Sequence, residues 1–547
     1  MLVTGSALVV LFVLLPVLAL FGIAAEGSGD LWPHLIENVL PTAIAQTLLL
    51  LVGVGILTTA VAVPCAWLVA TCDFPGRRVL DWALLLPLAL PGYIVAYSYL
   101  DVLHPLGPIQ SALRWMLGIS SPRGLQLPDI RSAGGCIFVM SCVLYPYVYL
   151  SARASFLVQS AAALDVARTL GASRLRTTLR IALPMARPAI VAGVTLALLE
   201  VLGDIGASEF LGMRTLTVSI YATWVNRSNL PGAAQMALVM LALVLALVAA
   251  ERAARSRARY VAGGTNRPPA PIHLQGGAGL AALAFCLVPV LLGFTVPVAH
   301  LAWVAAQRIE FSGFSPGILA EARNSALLAL GGTVLALALG FVPAVAQRLA
   351  ASPTTSALAR MGSLGYAVPG TVLAIGLLTP LAGFDNWVDQ GMRQFAGVST
   401  GLLISGSGAA LIIAYAIRFL AIPIGGLEAG YSKFSPHLDM AARSLGRSKR
   451  GAVRHIHLPL LRPALATAGL MVFVDGMKEL PATLLLRPLG VETLATHIYG
   501  EAARGTYEDG AIAALLIVLV GLVPVILLAR LSRTATPGSL KGSRGSG

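Results

Sequence analysis

Charged residues are scarce in this chain. Only 11% of its 547 residues are Asp, Glu, Lys or Arg, whereas soluble proteins carry about 25%. Hydrophobic residues make up 57%, and the mean hydropathy is +0.82. This composition excludes an ordinary soluble enzyme or binding domain and predicts a polytopic membrane protein.

Three further absences narrow the function. The five cysteines include no Cys-x-x-Cys pair, so the sequence assigns neither a disulfide framework nor a metal site. There is no Gly-x-x-x-x-Gly-Lys-Ser/Thr phosphate loop. The chain is therefore not itself an ATPase, and we expect no cofactor in it. No basic segment precedes the apolar run 1–21, which predicts a first membrane span rather than a cleaved signal peptide.

Apolar runs of about 20 residues, the length that crosses a bilayer as a helix, recur along the chain. They predict an all-α polytopic fold with about twelve transmembrane helices, six before residue 251 and six after residue 278. The predicted spans are 6–23, 42–70, 82–103, 135–152, 189–211, 233–250, 279–303, 324–347, 361–381, 402–422, 464–486 and 511–530.

Most of the 38 lysines and arginines fall in alternate loops. Because cytoplasmic loops are enriched in Lys and Arg, this side is predicted to be the cytosol, with both termini on it. The same rule explains the net charge of +14 without a nucleic-acid partner.

A polar, Pro- and Gly-rich segment separates two halves that repeat one another. Pro91-Gly92 in the third span corresponds to Pro369-Gly370 in the ninth. Because each half holds six spans, the halves have the same orientation, and a path would run between them. We predict a first half at 1–250, a cytoplasmic linker at 251–278, a second half at 279–530 and a tail at 531–547.

One basic cytosolic segment occurs once in each half, within loops at about 153–187 and 425–463. In each copy thirteen residues lead from a glycine to a proline, Gly171 to Pro184 and Gly446 to Pro459. The pattern predicts two short helices joined at the glycine, which we call an elbow. An elbow kept at one spacing twice favours a docking surface over the alternative, an ordinary positively charged loop.

The two elbows resemble the cytoplasmic loop of binding-protein-dependent ABC importer permeases. That family's pattern is Glu-Ala-Ala, three residues, Gly, nine residues, Ile, one residue and Leu-Pro. The second elbow has Met440 in place of the glutamate. The resemblance implies a type I ABC importer permease fold and coupling helices that dock on a separate ATPase. The residues it assigns to these coupling loops are Asp165, Ala167, Gly171, Ile181, Leu183, Pro184, Ala441, Ala442, Gly446, Ile456, Leu458 and Pro459.

The resemblance also implies partners and a location. Two copies of an ATPase subunit would use ATP and Mg²⁺, and a periplasmic or surface solute-binding protein would deliver the cargo. The chain would be a multi-pass protein of the bacterial inner membrane.

Two pairs of carboxylates follow the elbows inside the predicted spans, Glu200 with Asp204 and Asp475 with Glu479. Each pair is spaced i, i+4 and is predicted to share one helix face. Because a charge within a span is costly, we predict that all four line the translocation path, although no metal site is assigned. Alternatively, Lys478 neutralises its neighbours locally.

The segment 478–488, Lys-Glu-Leu-Pro-Ala-Thr-Leu-Leu-Leu-Arg-Pro, resembles the same region of ferric-iron permeases. It implies ferric iron as cargo, and carboxylates suit such a hard cation. Permeases for thiamine, phosphonate or polyamines share the architecture and remain alternatives. An ion-coupled secondary transporter or a non-transporting scaffold are alternatives from other classes.

Overall fold

The computed structural model describes residues 2–121, 123–125, 127–159, 173–256, 272–313, 315–350, 352–435 and 437–534. These residues are almost entirely helical. Their β-structure is one parallel pairing of two short strands, Cys72–Asp73 and Ile272–His273.

The helices fall into two series, one before residue 257 and one after residue 271. In the first series, α-helices span Leu2–Ala25, Leu31–His34, Leu40–Thr71, Arg77–Ala83, Gly92–Val102, Pro108–Met116, Ala133–Val158, Arg174–Thr177, Leu183–Gly203, Gly206–Phe210, Leu216–Val225 and Leu230–Ser256. In the second they span Gly277–Val290, Val296–Ser312, Pro316–Leu349, Pro353–Gly362, Gly370–Ala396, Ala409–Phe419, Ala421–Tyr431, His437–Ser444, Lys449–Ala452, Leu458–Met477, Pro481–Leu486, Leu494–Arg504 and Ala511–Thr534. Single turns of π-helix lie at Leu35–Val39, Thr178–Ala182, Leu291–Thr295 and Val453–His457, and 3₁₀ turns lie at Leu86–Ala89 and Ser363–Ala367.

Within the described residues, nine helices are long and apolar enough to cross a membrane. Two more spans are bent pairs: Arg77–Ala89 meets Gly92–Val102 at 91°, and Ala409–Phe419 meets Ala421–Tyr431 at 45°. In the last helix, Ala511–Thr534, the apolar stretch Ala511–Leu527 is shorter than these spans, so the described residues give nine to eleven spans where the sequence predicted about twelve. The prediction of an all-α polytopic membrane protein is thus confirmed.

Prolines break two spans that the sequence predicted to be continuous. Pro91 is extended, with φ −69° and ψ 151°, and a new helix begins at Gly92. Pro369 is likewise extended, with φ −57° and ψ 146°, before the helix that begins at Gly370. Since proline lacks the N–H that would continue a helix, the chain changes direction at both points.

The proline of each elbow does not end the elbow's second helix. In the first elbow a π turn at Thr178–Ala182 leads directly into Leu183–Gly203, which carries Pro184 in its first turn. The second elbow repeats this arrangement at the equivalent position, Val453–His457, with Pro459 in the first turn of the next span. Proline lacks the N–H that would bond to the fourth residue before it, and in both elbows it follows a π turn, where the regular i→i−4 bonding already changes. Each elbow therefore runs without a break into a membrane span.

The first membrane span of each series packs against the other series; in the second series that span runs from Gly277 to Phe311. Leu2–Ala25 contacts Pro316–Leu349 and Gly370–Ala396. Val296–Ser312, in turn, contacts Gly92–Val102. Gly376 permits the first of these approaches, since a β-carbon there would collide with the carbonyl oxygen of Pro16. One large apolar core therefore runs through both series.

His497, on the short helix Leu494–Arg504 outside the spans, supports a pH prediction. Its Nδ1 lies 3.1 Å from Glu321 Oε1 and its Nε2 3.4 Å from the Asp509 carbonyl, with Glu501 also nearby. The bond to Glu321 raises the pKa of His497 above its usual value. This stabilisation is complete below the unfolded pKa of about 6.5 and is lost as the pH rises through the higher folded value.

We therefore expect the melting temperature of the purified chain to fall between about pH 6 and pH 8. His497→Gln should flatten that dependence, whereas replacing the exposed His34 in the same way should leave the slope unchanged. Equal slopes for wild type and His497→Gln would contradict this assignment.

Candidate functional site: an acid-lined cavity and two elbows

A cavity of about 130 Å³ lies between the two series of helices, and all four predicted carboxylates line it. The first series contributes the break at Pro91-Gly92 and the end of the span at Glu200 and Asp204. The second contributes Pro369-Gly370 and the end of the span at 475–481. The sequence repeat thus places equivalent segments of the two series around one space, which we call the central cavity.

The prediction that each carboxylate pair shares one helix face is wrong. The helix carrying Glu200 ends at Gly203, and Asp204 is extended, with φ −81° and ψ 121°. Asp204 Oδ1 then accepts hydrogen bonds from the backbone N–H groups of Ala207 (2.7 Å) and Ser208 (3.2 Å). These donors belong to the first turn of the next helix, Gly206–Phe210, which has no intrahelical partners for them. Capping that turn explains why the chain breaks at this carboxylate.

Glu479 has the same role in the second series. The helix carrying Asp475 ends at Met477, and the Glu479 carboxylate accepts from the N–H groups of Ala482 and Thr483, each at 3.1 Å. It thereby caps the short helix Pro481–Leu486. Both series therefore have a helix break at a carboxylate that caps the next helix, one on each side of the cavity.

A glycine of the broken third or ninth span lies against each capping carboxylate. A β-carbon on Gly92 would lie 2.9 Å from Asp204 Oδ2, and one on Gly370 would lie 2.6 Å from Glu479 Oε1. Only a residue without a side chain fits at these two points. The Pro-Gly pairs therefore both redirect the span and make room for the acid.

The remaining carboxylates link to other groups of the cavity wall. The Tyr366 hydroxyl donates to Glu200 Oε1 at 2.8 Å, a bond that joins the two series. Asp475 Oδ1 lies 3.0 Å from Lys478 Nζ, so the predicted local neutralisation occurs for Asp475. A second hydrogen bond joins the two series, because the Tyr93 hydroxyl of the first series donates to the carbonyl oxygen of Lys478 in the second at 3.3 Å.

Arg418 is a cavity residue that sequence reasoning missed. Its Nη1 is buried, makes no hydrogen bond and lies 3.6 Å from Glu479 Oε1. The signal was available, because Arg418 is an ionisable residue inside the predicted span 402–422. Four carboxylates face two cations, Arg418 and Lys478, which leaves a formal excess of two negative charges in the cavity wall.

The carboxylates do not converge on a preformed metal site in this conformation. Among the described residues, no three His, Cys, Asp or Glu side chains lie close enough together to hold a metal ion. In the described part of the chain, the cavity wall is therefore acidic but not arranged to chelate a metal ion.

The second elbow is described almost completely. Its first helix, His437–Ser444, is followed by Gly446, whose φ of +72° is the left-handed stop that the sequence predicted. The Ser448 side chain then accepts from Gly451 N–H at 3.2 Å and caps the next turn. Ala442 is buried, Ala441, Leu458 and Pro459 are exposed, and Ile456 is half-buried.

The first elbow is described from residue 173 onward. Asp165, Ala167 and Gly171 lie outside the described residues, so their predicted roles stay predictions. The Ser173 hydroxyl accepts from the N–H of Arg176 at 3.4 Å. Ile181, Leu183 and Pro184 are all half-buried at the start of the span.

Two repeated series of membrane helices around one polar cavity define this chain as a membrane transport protein of the permease class. The family model "binding-protein-dependent transport system inner membrane component" matches residues 62–260. The molybdenum transport system permease protein of Escherichia coli is 31% identical over 205 residues, which are 35% of this chain and 86% of the relative. The chain belongs to this family of ABC importer permeases, and it is a multi-pass transport subunit of the inner membrane.

Two relatives match along both halves. An Fe(3+)-transport system permease protein of Haemophilus influenzae is 26% identical over 489 residues, 89% of each chain. A probable ABC transporter permease protein of Sinorhizobium fredii is 25% identical over 494 residues, 85% of this chain and 83% of the relative.

The contact at Gly370 gives a stability prediction. In Gly370→Ala the new methyl group overlaps Arg418 and Glu479, and overpacking of this kind costs about 1–3 kcal/mol. We expect a lower melting temperature in detergent and slower transport. Gly383→Ala, on the same helix with open space around its β-carbon, is the matched control and should behave as wild type. Equal stability of the two variants would show that this close contact does not exist.

Proposed function

We propose that this chain forms the translocation path of an ATP-driven importer for ferric iron. The observation that supports this most is the central cavity between two repeated series, whose wall holds four carboxylates against two cations. A ferric ion is a hard cation that oxygen ligands suit, and Glu200 and Asp475 present theirs beside the phenol group of Tyr366. The relative from Haemophilus influenzae, named for Fe(3+) transport, matches through both halves and supports the same cargo.

The path would serve a moving ion rather than a resident one. A site that released iron only slowly would block transport, so binding must be weak enough to reverse. Lys478 and Arg418 favour reversibility, because they compete with the ion for Asp475 and Glu479.

The second elbow has the surface expected of a docking site for a separate ATPase subunit. Leu438, Met440 and Leu445 are 40%, 54% and 81% exposed, although all three are apolar. Exposed apolar side chains on a short helix suit an apolar cleft on a partner protein. With one ATPase copy on each elbow, ATP-driven closure of the pair would move the spans that carry Glu200 and Asp475.

The proposed arrangement in the membrane follows from the elbows. Both elbows, the linker at 251–278 and both termini would face the cytosol, and a solute-binding protein would deliver cargo to the opposite face. Residues 1–250 and 279–530 would act as two permease halves, with 531–547 as a tail. ATP and Mg²⁺ would be used by the ATPase.

A second candidate cargo is an oxyanion. The Nη1 of Arg418, which makes no hydrogen bond, lies beside the central cavity, and a guanidinium group binds oxyanions well. The relative from Escherichia coli that is named for molybdenum transport gives this candidate separate support.

Uptake assays distinguish these candidates. The chain is reconstituted in liposomes with its ATPase and binding protein, and radioactive ferric iron, molybdate and phosphate are each offered with ATP inside. The proposal predicts iron uptake that needs ATP and survives a protonophore. Uptake of an oxyanion would favour the second candidate. Collapse by the protonophore would instead indicate an ion-coupled secondary transporter.

A further inference from the structure

The second elbow contains a buried group of ionisable side chains that the proposed function does not use. Asp439, on the helix His437–Ser444, lies between two membrane-span residues. Its Oδ1 is 2.6 Å from His457 Nε2, and its Oδ2 is 2.9 Å from both Arg348 Nε and Nη2. The Tyr431 hydroxyl completes the group at 3.2 Å from His457 Nδ1. We call these four residues the elbow clamp.

The clamp joins four separate segments. Arg348 lies in the last turn of the helix Pro316–Leu349, and Tyr431 is the last residue of Ala421–Tyr431. His457 lies in the π turn that leads into the next span. Arg348 also donates to the carbonyl oxygens of Phe434 and Ser435, at 3.4 and 3.1 Å. The loop before the elbow helix, the helix itself and three spans are therefore tied at one point.

The clamp is shielded from solvent. The side chain of His457 is 4% exposed, and those of Asp439 and Arg348 are 15% and 16% exposed. Both carboxylate oxygens of Asp439 have charged or polar partners, so the buried charge is satisfied. Hydrogen bonds to a buried charged group are stronger than neutral ones, and losing one partner leaves the other unpaired. Such a group resists rotation of the elbow helix more than apolar packing does.

The first elbow does not have the same residues at the equivalent positions. When the two elbows are aligned on Gly171 and Gly446, His457 corresponds to Ala182, whose carbonyl oxygen accepts from Gln159 Nε2 at 2.8 Å. In the same alignment Asp439 corresponds to Leu164, which cannot supply a carboxylate. The two elbows are therefore chemically different at this point.

The shift of one residue between the two copies has a geometric consequence. In the first copy the acid is Asp165, which corresponds to Met440, and Met440 is exposed. In the second copy the acid is one residue earlier, at Asp439. Successive side chains on a helix are about 100° apart. Asp439 therefore lies on the inner face, beside the buried Ala442, whereas Met440 lies on the outer face. The carboxylate of Asp439 thus faces the membrane spans.

We propose that Asp439 is a positioning residue that holds the second elbow rigidly on the spans, so that ATPase movement is transmitted to the central cavity through this elbow without slippage. The proposal rests on the proposed docking of an ATPase at the elbows. A rigid connection is needed there because a helix free to rotate would absorb the movement of its partner.

The test measures substrate transported per ATP hydrolysed by the complete importer in liposomes. Asp439→Asn keeps the size of the side chain but removes its charge, and should lower this ratio about tenfold, with ATP hydrolysis itself reduced less than twofold. Asp439→Glu should restore part of the ratio. The matched control is Asp73→Asn, which removes an exposed carboxylate from the Asp73–His273 pair and should leave the ratio unchanged.

A second measurement uses the full chain alone and does not depend on any ATPase. Amide hydrogen exchange over 437–444 should be at least about tenfold faster in His457→Gln than in wild type, with unchanged exchange over 173–182. Unchanged exchange over 437–444 would overturn the clamp, as would a normal transport ratio in Asp439→Asn. If instead the wild-type chain forms no complex with an ATPase, the proposed docking fails while the exchange result still decides the clamp.

Discussion

Leu445→Asp will weaken binding of the ATPase subunit by at least about tenfold and abolish ATP-dependent uptake. Leu445 is 81% exposed at the end of the second elbow's first helix, so the proposed contact is with a partner and not with this chain. Apolar anchors at the centre of an interface contribute about 2 kcal/mol or more, and a carboxylate in an apolar cleft adds a desolvation cost. The measurement is the affinity of the detergent-solubilised chain for its ATPase, followed by uptake in liposomes.

Leu489→Asp is the matched control for this prediction. Leu489 is a fully exposed leucine, but it lies between the spans predicted at 464–486 and 511–530, at the opposite end of the helices from the elbows. This variant should bind the ATPase as wild type does. If the two variants bind equally well, the elbow is not the docking surface.

The second large effect is expected at Glu200. Glu200→Gln conserves shape and leaves an oxygen for the Tyr366 hydroxyl, but removes one negative charge from the cavity wall. Two unit charges 4 Å apart interact by about 4 kcal/mol at an effective dielectric constant of 20. Even after screening in a wet cavity, the loss should reduce ferric-iron uptake at least about tenfold. The chain should still bind its ATPase and remain folded.

Glu310→Gln provides the comparison, because Glu310 is exposed and does not line the central cavity. Iron uptake should be unchanged in this variant. Normal uptake by a well-expressed Glu200→Gln variant would exclude Glu200 from the path, whatever the cargo.

The helix stop of the second elbow and most of the membrane spans could be predicted from the sequence because they depend on local patterns. A glycine at a fixed distance from a proline, found once in each half, predicted the left-handed stop that Gly446 makes. Apolar runs of sufficient length predicted the spans, since a bilayer requires them. The Pro-Gly pairs at Pro91 and Pro369 could also have predicted the breaks in these spans, but they were interpreted only as evidence of a repeat.

The geometry of the cavity could not be predicted in the same way. The i, i+4 spacing of Glu200 and Asp204 suggested one helix face, but the pattern cannot show that Asp204 caps a new helix. That outcome depends on the first-turn N–H groups of the short helix Gly206–Phe210, which packs against the helix Gly92–Val102. Arg418 was overlooked because a single arginine in an apolar run has no repeat to mark it, and Asp439 because its partners are distant in sequence.

The most direct test of the account is an uptake measurement with the parts separated. Liposomes containing the chain alone, the chain with its ATPase, or the chain with both ATPase and binding protein receive radioactive ferric iron and internal ATP. We predict accumulation only with all three proteins, and none when Leu445→Asp replaces the wild-type chain. Iron accumulation by the chain alone, or uptake that follows a proton gradient instead of ATP, would contradict the claim that a separate motor drives this path through its elbows.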